Sequence, residues 1–596
     1  MAPDSTVHRL LRTAEKRPAH PAYAVKRGSF WEATSYRDYA NEVRTAGRAL
    51  MALGLPKGGA TCILGFNRPE WVIFDLATMA AAGAPAGIYT TSSPDEVQYI
   101  VAHTEAPVML VENTKQWEKV RAVRDRLPAL RWVVTMKDAE PIDDPMVLSW
   151  AAFMKKGALV TDVELDARLA SVEPDGLATF IYTSGTTGPP KGVMLSHRNL
   201  TFTSDIAAEM TGGNASDVCL SYLPLSHIAE QMFSVHGPAT LGSTIYFAES
   251  IDKVADNLKE VQPTLFFGVP RIWEKFQAGI SAKLGEATGA KKKIMAWARG
   301  VGTAASAAKM RGETPSGLLG LQYRAADKLV FSKLRPLVGL GRARTCVSGA
   351  APISREVLEM FASLDIIVQE VYGQSEDTGP TSFNVPGRTR LGSVGPAIPG
   401  VEVKIADDGE ILVRGPNVFL GYYKEPAATD EVLKDGWLYS GDLGKFDDEG
   451  YLHITGRKKE IIITSGGKNI TPKNIEAALK NHPLVGEAVV IGDRRKFLTA
   501  LIALEPEATA RFLHDLGKSG HRAHEVPELL AEIQRAVDDA NKHFAQVETV
   551  KKFTVLPRAF TIEDGELTPT LKIKRRIVNK NFAAEIEAMY ADDKSA

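Results

Sequence analysis

Short apolar runs alternate with segments of helical periodicity along most of the chain. Runs such as Thr61–Leu64, Val108–Val111 and Leu177–Thr183 have the length of strands, and helix-length segments separate them. The stretch Ser93-Pro94-Asp95-Glu96 predicts a helix start, because it combines a capping box with proline at the first helical position. The alternation predicts an α/β fold in which helices cover layered sheets.

The pattern changes twice towards the C terminus. Between about residues 390 and 456, short runs and tight turns such as Asp408-Gly409 predict a small antiparallel β subdomain. After Gly456 the chain carries its own set of strand and helix signals, enough for a small α+β domain. We therefore predict a large N-terminal domain over residues 1–456 and a small C-terminal domain over residues 457–596.

Length and composition describe a folded protein with more than one domain. A chain of 596 residues exceeds what one hydrophobic core usually supports. With 44% hydrophobic and 24% charged residues, the composition argues against disorder. Because 71 basic residues face 72 acidic ones, no excess charge would attract nucleic acid.

Cysteine usage and hydropathy predict a cytoplasmic protein. Cys62, Cys219 and Cys346 are far apart in apolar stretches, which favours buried thiols in a reducing compartment. Asp75 and several glycines and prolines interrupt the most apolar early stretch, so we expect no transmembrane segment. Residues 283–338 are basic and helical, which favours a solvated face; a peripheral membrane contact is the alternative, and it requires a matching apolar face.

A loop rich in glycine and hydroxyl groups follows the apolar strand Leu177–Ile181. Glycines let backbone amides approach phosphate oxygens, hydroxyls donate hydrogen bonds to them, and lysine adds positive charge. The loop lacks the Gly-Lys-Ser/Thr ending of a Walker A motif, and an ordinary turn between strand and helix is the alternative. The candidate phosphate-binding residues are Thr183, Ser184, Gly185, Thr186, Thr187, Gly188 and Lys191.

This loop resembles the signature loop of the AMP-forming adenylating enzymes, a superfamily that includes acyl-CoA synthetases, peptide-synthetase adenylation domains and beetle luciferases. Further motifs appear in the family's order, and together they cover the chain from about Leu64 to Phe582. The resemblance implies a small C-terminal domain that rotates against the large one. The other motifs occupy residues 223–230, 348–352, 372–376, 436–444, 465–472 and 567–576.

The resemblance also implies how ATP is bound. Residues of the 348–352 and 372–376 motifs would contact the adenine, with Glu376 as the ligand of a magnesium ion that bridges the phosphates. Ser375 replaces the family's usual threonine and keeps the hydroxyl. Besides the glycine loop, the implied nucleotide contacts are Gly349, Ala350, Tyr372, Gly373, Ser375, Asp442 at the ribose and Arg457 at the ribose or phosphate.

Five further residues receive roles from the same resemblance. His227 would position the reacting carboxylate, Lys459 would be the hinge, and the glycine pair Gly466-Gly467 would line the passage for coenzyme A. The family's invariant lysine aligns with Lys572. Since Leu571 stands where many relatives have glycine, Lys574 is the competing assignment.

Several stretches resemble bacterial long-chain fatty acyl-CoA synthetases, among them Asn67-Arg68-Pro69-Glu70-Trp71 and Val269–Lys275. The resemblance implies that ATP, Mg²⁺ and coenzyme A serve the two-step conversion of a fatty acid into its acyl-CoA. Two alternatives are a fatty acyl-AMP ligase that delivers to a carrier protein, and a non-catalytic nucleotide or lipid sensor on the same fold. The sequence predicts no particular oligomeric state.

Overall fold

A computed structural model of the chain describes residues 4–183, 189–285, 288–568 and 572–591. Three sheets carry most of the N-terminal part, and helices pack against them. Within the described residues, every helix is too short or too polar to cross a bilayer.

The largest sheet has eight strands. Six consecutive strands, from its centre to one edge, run parallel to one another. Neighbouring residues of one strand face different cores: Ile63 packs into one hydrophobic cluster, whereas Cys62 and Leu64 pack into another. Burial on both faces explains why these strands are continuous apolar runs. In spatial order the strands are Gly421–Tyr422, Lys191–Ser196, Leu177–Thr183, Ala84–Ile88, Ala60–Leu64, Val108–Val111, Trp132–Thr135 and Val147–Ser149.

Two four-stranded sheets complete the layered part of the N-terminal region. One contains Val218–Ser221, Thr244–Phe247, Pro21–Arg27 and Phe30–Ser35 in spatial order. The other contains Leu265–Gly268, Thr345–Ser348, Val368–Tyr372 and Ser382–Phe383.

Helices cover these sheets, and local signals mark several of their starts. At Ser93 the predicted capping box is present, since its side chain accepts from the backbone of Glu96 and the Glu96 carboxylate accepts from the backbone of Ser93. The N-terminal α-helices are Thr6–Lys16, Tyr36–Ala52, Pro69–Ala80, Pro94–Thr104, Thr114–Arg121, Trp150–Lys156, Asp162–Ala170, His197–Thr211, Ile228–Gln231, Gly237–Leu241, Val254–Val261, Pro270–Gly285, Gly289–Met310, Gly317–Ala326, Ser332–Leu337, Arg355–Ala362 and Pro426–Val432.

A five-stranded antiparallel sheet lies where the sequence predicts a small β subdomain. Its strands are Glu402–Ile405, Glu410–Arg414, Trp437–Phe446, Leu433–Lys434 and Leu452–Arg457. The following unit has a two-stranded ribbon and a three-stranded sheet: Ile462–Ile463 with Asn469–Ile470, and Val485–Ile491, Leu498–Leu504 and Val550–Val555. Its helices are Pro472–Lys480, Pro506–Asp515, Pro527–Asn541, Arg575–Asn581 and Ala583–Met589.

The α/β fold class predicted from the sequence is confirmed. The strands predicted at Val108–Val111 and Leu177–Thr183 have the predicted bounds. The hairpin formed by Pro21–Arg27 and Phe30–Ser35 was not predicted. Because its second strand is largely exposed, it lacks the apolar alternation that marks a half-buried strand.

Candidate active site

The candidate nucleotide residues lie at the carboxyl ends of strands. Thr345–Ser348 and Val368–Tyr372 pair in parallel, so Gly349 and Gly373, which follow them, lie at the same edge of the sheet. In open α/β sheets this edge is where ligands bind. The fold therefore brings two of the sequence-predicted adenine motifs together.

Both motifs contain glycines that have no room for a side chain. A Cβ on Gly373 would lie 1.5 Å from the carbonyl oxygen of Gly379, and one on Gly349 would lie 2.5 Å from Cγ1 of Val371. Ala350 adopts a left-handed conformation, with φ of +69°. These close approaches hold Gly349 against the strand Val368–Tyr372 and close the turn between Gly373 and Gly379, which fixes the backbone beside Tyr372.

The glycine loop connects two antiparallel strands. Thr183 and Lys191 are direct partners across strands Leu177–Thr183 and Lys191–Ser196, so the next element is a strand and the alternative of a turn into a helix is wrong. The ammonium of Lys191 lies 4.5 Å from the centre of the Tyr422 ring. Five predicted phosphate contacts lie outside the described residues: Ser184, Gly185, Thr186, Thr187 and Gly188.

Asp442 joins two other predicted residues. Its carboxylate accepts a hydrogen bond from the hydroxyl of Tyr372 (3.0 Å) and one from Nε of Arg457 (2.8 Å). Asp442 and Arg457 are cross-strand partners in the five-stranded sheet, which explains their close approach. The negative charge of Asp442 raises the pKa of Arg457 above its usual range, so the arginine is firmly cationic.

Glu376 and Ser375 lie in a short 3₁₀ turn, Ser375–Asp377, which follows the strand Val368–Tyr372. Its Oε1 accepts a hydrogen bond from the Tyr422 hydroxyl (2.8 Å), which leaves Oε2 without a hydrogen-bond donor among the described residues. One partly free carboxylate suits Mg²⁺, which usually takes one or two protein carboxylates and completes its shell with phosphate oxygens and water. The residue present therefore fits the implied ion.

Tyr422 is a site residue that sequence reasoning missed. It contacts Lys191 through its ring and Glu376 through its hydroxyl, and so links the glycine loop to the candidate metal ligand. The tyrosine belongs to an edge strand of two residues, Gly421–Tyr422, which pairs with Val193 and Met194. Such a short strand has no periodic signal, and only the three-dimensional pairing reveals its neighbours.

His227 caps the short helix Ile228–Gln231. Its Nδ1 accepts a hydrogen bond from the backbone N–H of Ala229 (3.2 Å). Burial, together with the nearby positive charge of Lys572, lowers the pKa of His227 to about 3. The imidazole is therefore neutral at pH 7, which agrees with a positioning role and excludes a cationic one.

A buried polar cluster holds the His227 segment in place. The amide of Asn67 donates to Oγ of Ser221 (2.8 Å) and to the carbonyl of Leu223 (2.7 Å), while Ser221 donates to Glu230 (2.7 Å). Ser234 also donates to Glu230, whose pKa burial raises to about 7. In the sequence, Asn67 stood out only because its segment resembles long-chain enzymes. The structure shows that its side chain holds the segment around Ser221 and Leu223.

The structure brings the charge of Lys572 within interaction range of these residues, including His227. Although Lys572 is exposed as a residue, loss of hydration and repulsion from Arg457 and Lys473 lower its pKa to about 8. The negative charges of Asp442 and Glu376 act in the opposite direction. Lys572 is therefore the lysine that interacts with the other site residues, whereas Lys574 stands at the N-cap position of the helix Arg575–Asn581.

Two further predicted features are exposed on the surface. Gly466 and Gly467 belong to the exposed turn between strands Ile462–Ile463 and Asn469–Ile470, and Gly467 has φ of +73°. A Cβ on Gly467 would meet no atom within 4 Å. Lys459 is exposed in the 3₁₀ turn Lys458–Glu460, which directly follows the last strand of the five-stranded sheet.

Two protein-family models match the chain. The AMP-binding enzyme model matches residues 10–423, and the model of the AMP-binding enzyme C-terminal domain matches residues 459–594. The chain is 39% identical to the Xenopus laevis long-chain-fatty-acid–CoA ligase ACSBG2, over 99% of this chain and 84% of that protein. It is 37% identical to the long-chain-fatty-acid–CoA ligase FadD15 of Mycobacterium bovis, over 94% of this chain and 92% of that protein.

Solved structures share the fold at low sequence identity. The adenylation domain of a carboxylate reductase from Mycobacterium chelonae superposes with a TM-score of 0.76 at 21% identity, covering 99% of this chain and 92% of that one. The anthranilate CoA ligase AuaEII in complex with anthranoyl-AMP superposes with a TM-score of 0.72 at 20% identity, covering 99% of both chains. On the two model matches and on relatives that align along nearly its whole length, this chain belongs to the AMP-binding enzyme family.

Proposed function

We propose that the chain is a long-chain fatty acid:CoA ligase that forms AMP. The observation that carries the proposal is the convergence of Lys572 with Glu376, Asp442 and Arg457 beside the neutral His227. This set combines positive charge, a magnesium-type carboxylate and a ribose-type acceptor in one cleft. The names of the most similar relatives supply the acid, a long-chain fatty acid, and the acceptor, coenzyme A.

In the first half-reaction, a carboxylate oxygen of the acid attacks the α-phosphorus of ATP, and pyrophosphate leaves. Two anions must meet, so fixed positive charge that screens them contributes most to catalysis. Lys572 and Lys191 would supply this charge. Asp442, already fixed by Tyr372 and Arg457, would accept hydrogen bonds from the ribose hydroxyls.

A magnesium ion would be held by Glu376 together with phosphate oxygens of ATP. When bound, such an ion neutralises phosphate charge and orients the leaving group. Tyr422 fixes Oε1 of Glu376 and thus the direction of the carboxylate. We include Ser184, Gly185, Thr186, Thr187 and Gly188 in the proposal as phosphate contacts on the basis of their motif alone.

In the second half-reaction, the sulfur of coenzyme A attacks the acyl carbonyl, and AMP leaves. The Gly466-Gly467 turn, which is exposed in this conformation, would have to line the site in this step. We propose that the part of the chain after Lys459 rotates about this residue, which removes Lys572 and presents the glycine turn. One small domain would then serve both steps in succession.

We propose the cytoplasm as the compartment. The thiols of Cys62, Cys219 and Cys346 are all buried and unpaired, as expected for a protein that folds under reducing conditions.

The direct test supplies ATP, Mg²⁺ and acids from acetate to palmitate, with and without coenzyme A. Pyrophosphate release and mass spectrometry of the acyl product are measured together. The proposal predicts that palmitoyl-CoA forms only when coenzyme A is present. An adenylate that accumulates despite coenzyme A would indicate a carrier-protein acceptor, and no pyrophosphate with any acid would indicate a sensor.

A further inference from the structure

Exposed apolar side chains are concentrated in one helical region of the N-terminal part. Among the described residues, single large apolar groups are exposed at scattered positions elsewhere, as is normal for a soluble surface. Residues 294–337 differ, because six exposed side chains lie within this short stretch. They are Ile294, Trp297, Leu318, Leu321, Leu329 and Leu337.

Four of these leucines line one continuous helix. The α-helix Gly317–Ala326 passes without a break into the π-helical turn Asp327–Phe331 and then into the α-helix Ser332–Leu337. Helical spacing places Leu318, Leu321 and Leu329 on one side, and the wider π turn brings Leu337 back to that side. We call this stripe of Leu318, Leu321, Leu329 and Leu337 the outer leucine face.

Contacts on the inner side prevent these leucines from turning inward. The nearly inaccessible carboxylate of Asp365 accepts from Nζ of Lys309 (2.6 Å), from the hydroxyl of Tyr323 (2.9 Å) and from Arg335 (2.9 Å). Phe331, on the inner side, is fully buried. The helix is thus anchored through one face, and Leu318 remains 72% exposed on the other.

Basic side chains accompany the leucines without acidic partners. Arg324, Lys328 and Lys333 are exposed on the same helix, and Lys291-Lys292-Lys293 lie on the neighbouring helix Gly289–Met310. Among the described residues, none of these basic groups forms an ion pair with a carboxylate. The nearby Asp327 is already paired with Arg335.

We propose that the outer leucine face binds the surface of a membrane that contains anionic phospholipid. The leucines would enter the boundary between headgroups and acyl chains, while Arg324, Lys328 and Lys333 would contact the phosphates. Charge complementarity favours an anionic membrane over a second copy of the chain, because a second copy would place its own unpaired lysines against the lysines of this face. None of the residues of this face belongs to the proposed nucleotide or carboxylate site, so we expect binding to require neither ATP nor an acid.

The test is flotation of the full chain with vesicles of phosphatidylcholine, with or without phosphatidylglycerol. The unmodified chain is expected to float with the anionic vesicles. Leu318→Ser combined with Leu321→Ser should weaken this binding at least about tenfold, as expected for two exposed leucines that lose burial. Leu159→Ser is the matched control, since Leu159 is 73% exposed elsewhere on the molecule.

Charge reversal tests the second half of the proposal. Lys328→Glu combined with Lys333→Glu should weaken binding to anionic vesicles by about fivefold or more for each lysine and leave any binding to neutral vesicles unchanged. Lys57→Glu, at another exposed lysine, is the control. Circular dichroism and pyrophosphate release with a soluble acid should stay at the unmodified level in all variants.

Two results would overturn the proposal. One is a failure of binding: the unmodified chain does not float with anionic vesicles, or the leucine variant floats with them as well as the Leu159→Ser control does. The other is a change of oligomeric state: the leucine variant sediments differently from the unmodified chain but binds vesicles equally well, which would make this face an interface between copies of the chain.

Discussion

The charge of Lys572 depends on a close balance between its neighbours. Loss of hydration and the cations Arg457 and Lys473 disfavour the ammonium, whereas Asp442 and Glu376 favour it. The resulting pKa of about 8 keeps the side chain mostly charged at neutral pH, but without a large margin. A lysine poised in this way beside the proposed phosphate site is a candidate for catalysis.

We expect Lys572→Ala to slow acyl-adenylate formation by at least about 10²-fold, the effect of losing one preorganised charge donor. ATP–pyrophosphate exchange with palmitate measures this step. Lys574→Ala is the control, because Lys574 stands at a helix N-cap position where its side chain makes no capping hydrogen bond, and it should be dispensable for the exchange. Equal losses in the two variants, or a near-normal rate in the first, would remove Lys572 from the assigned role.

The same lysine predicts a pH dependence. Because its pKa is lowered to about 8, the free enzyme loses the positive charge that we propose for catalysis as pH rises through that value. We therefore expect kcat/KM for ATP in the exchange reaction to fall above about pH 8, since kcat/KM reports ionisations of the free enzyme.

Lys572→Arg provides the control for this pH profile. An arginine stays charged throughout the measured range, so the decline above pH 8 should disappear, even if the overall rate is lower. An unmodified enzyme whose kcat/KM stays constant up to pH 9.5 would show that the charge of Lys572 is not required.

At the scale of elements, the site depends on a tightly closed turn after the strand Val368–Tyr372. Gly373 has no space for a Cβ beside the carbonyl of Gly379, and it directly follows Tyr372, which donates to Asp442. The turn thus helps to set the position of the Tyr372 ring and of its hydrogen bond to Asp442.

We expect Gly373→Ala to displace Tyr372 and raise the KM for ATP by at least about tenfold, because a backbone contact of this kind cannot relax locally. Gly300→Ala is the matched control: Gly300 lies in the helix Gly289–Met310, and a Cβ there would meet no atom within 4 Å. An unchanged KM for ATP in the Gly373 variant would contradict the structural role of the close contact between Gly373 and Gly379.

Much of this organisation could be predicted from local sequence. Strand runs such as Leu177–Thr183 are buried on both faces and therefore stand out, and the Ser93 capping box marks its helix. The contacts of Tyr422 with Lys191 and Glu376 could not be predicted, since they join separate elements across the fold. The same holds for the Glu230 cluster, where burial rather than spacing links Asn67 to Ser221.

At the scale of the whole molecule, polar contacts connect the C-terminal unit with the rest. Arg271 lies 3.6 Å from Glu487, and the amide of Asn481 donates to Glu356 (3.2 Å). Polar pairs at or near the surface each contribute at most about 1 kcal/mol. Such contacts could therefore break in the proposed rotation about Lys459.

We expect Lys459→Pro to hold the chain in the conformation described here. Proline fixes φ near −65°, which is typical of a 3₁₀ turn such as Lys458–Glu460, and it opposes the backbone change that a rotation needs. Acyl-adenylate formation should stay within about threefold of normal, whereas thioester formation should fall at least about tenfold. Lys459→Ala, which removes only the side chain, should affect neither step strongly.

The most direct measurement follows both half-reactions in Lys572→Ala and Lys459→Pro. Adenylation is measured as ATP–pyrophosphate exchange, and thioester formation as palmitoyl-CoA produced from supplied palmitoyl-adenylate and coenzyme A. Our account predicts opposite losses: the first variant fails in adenylation and retains thioester formation, and the second does the reverse. Loss of both steps to the same extent in both variants would contradict a small domain that serves the two steps in turn.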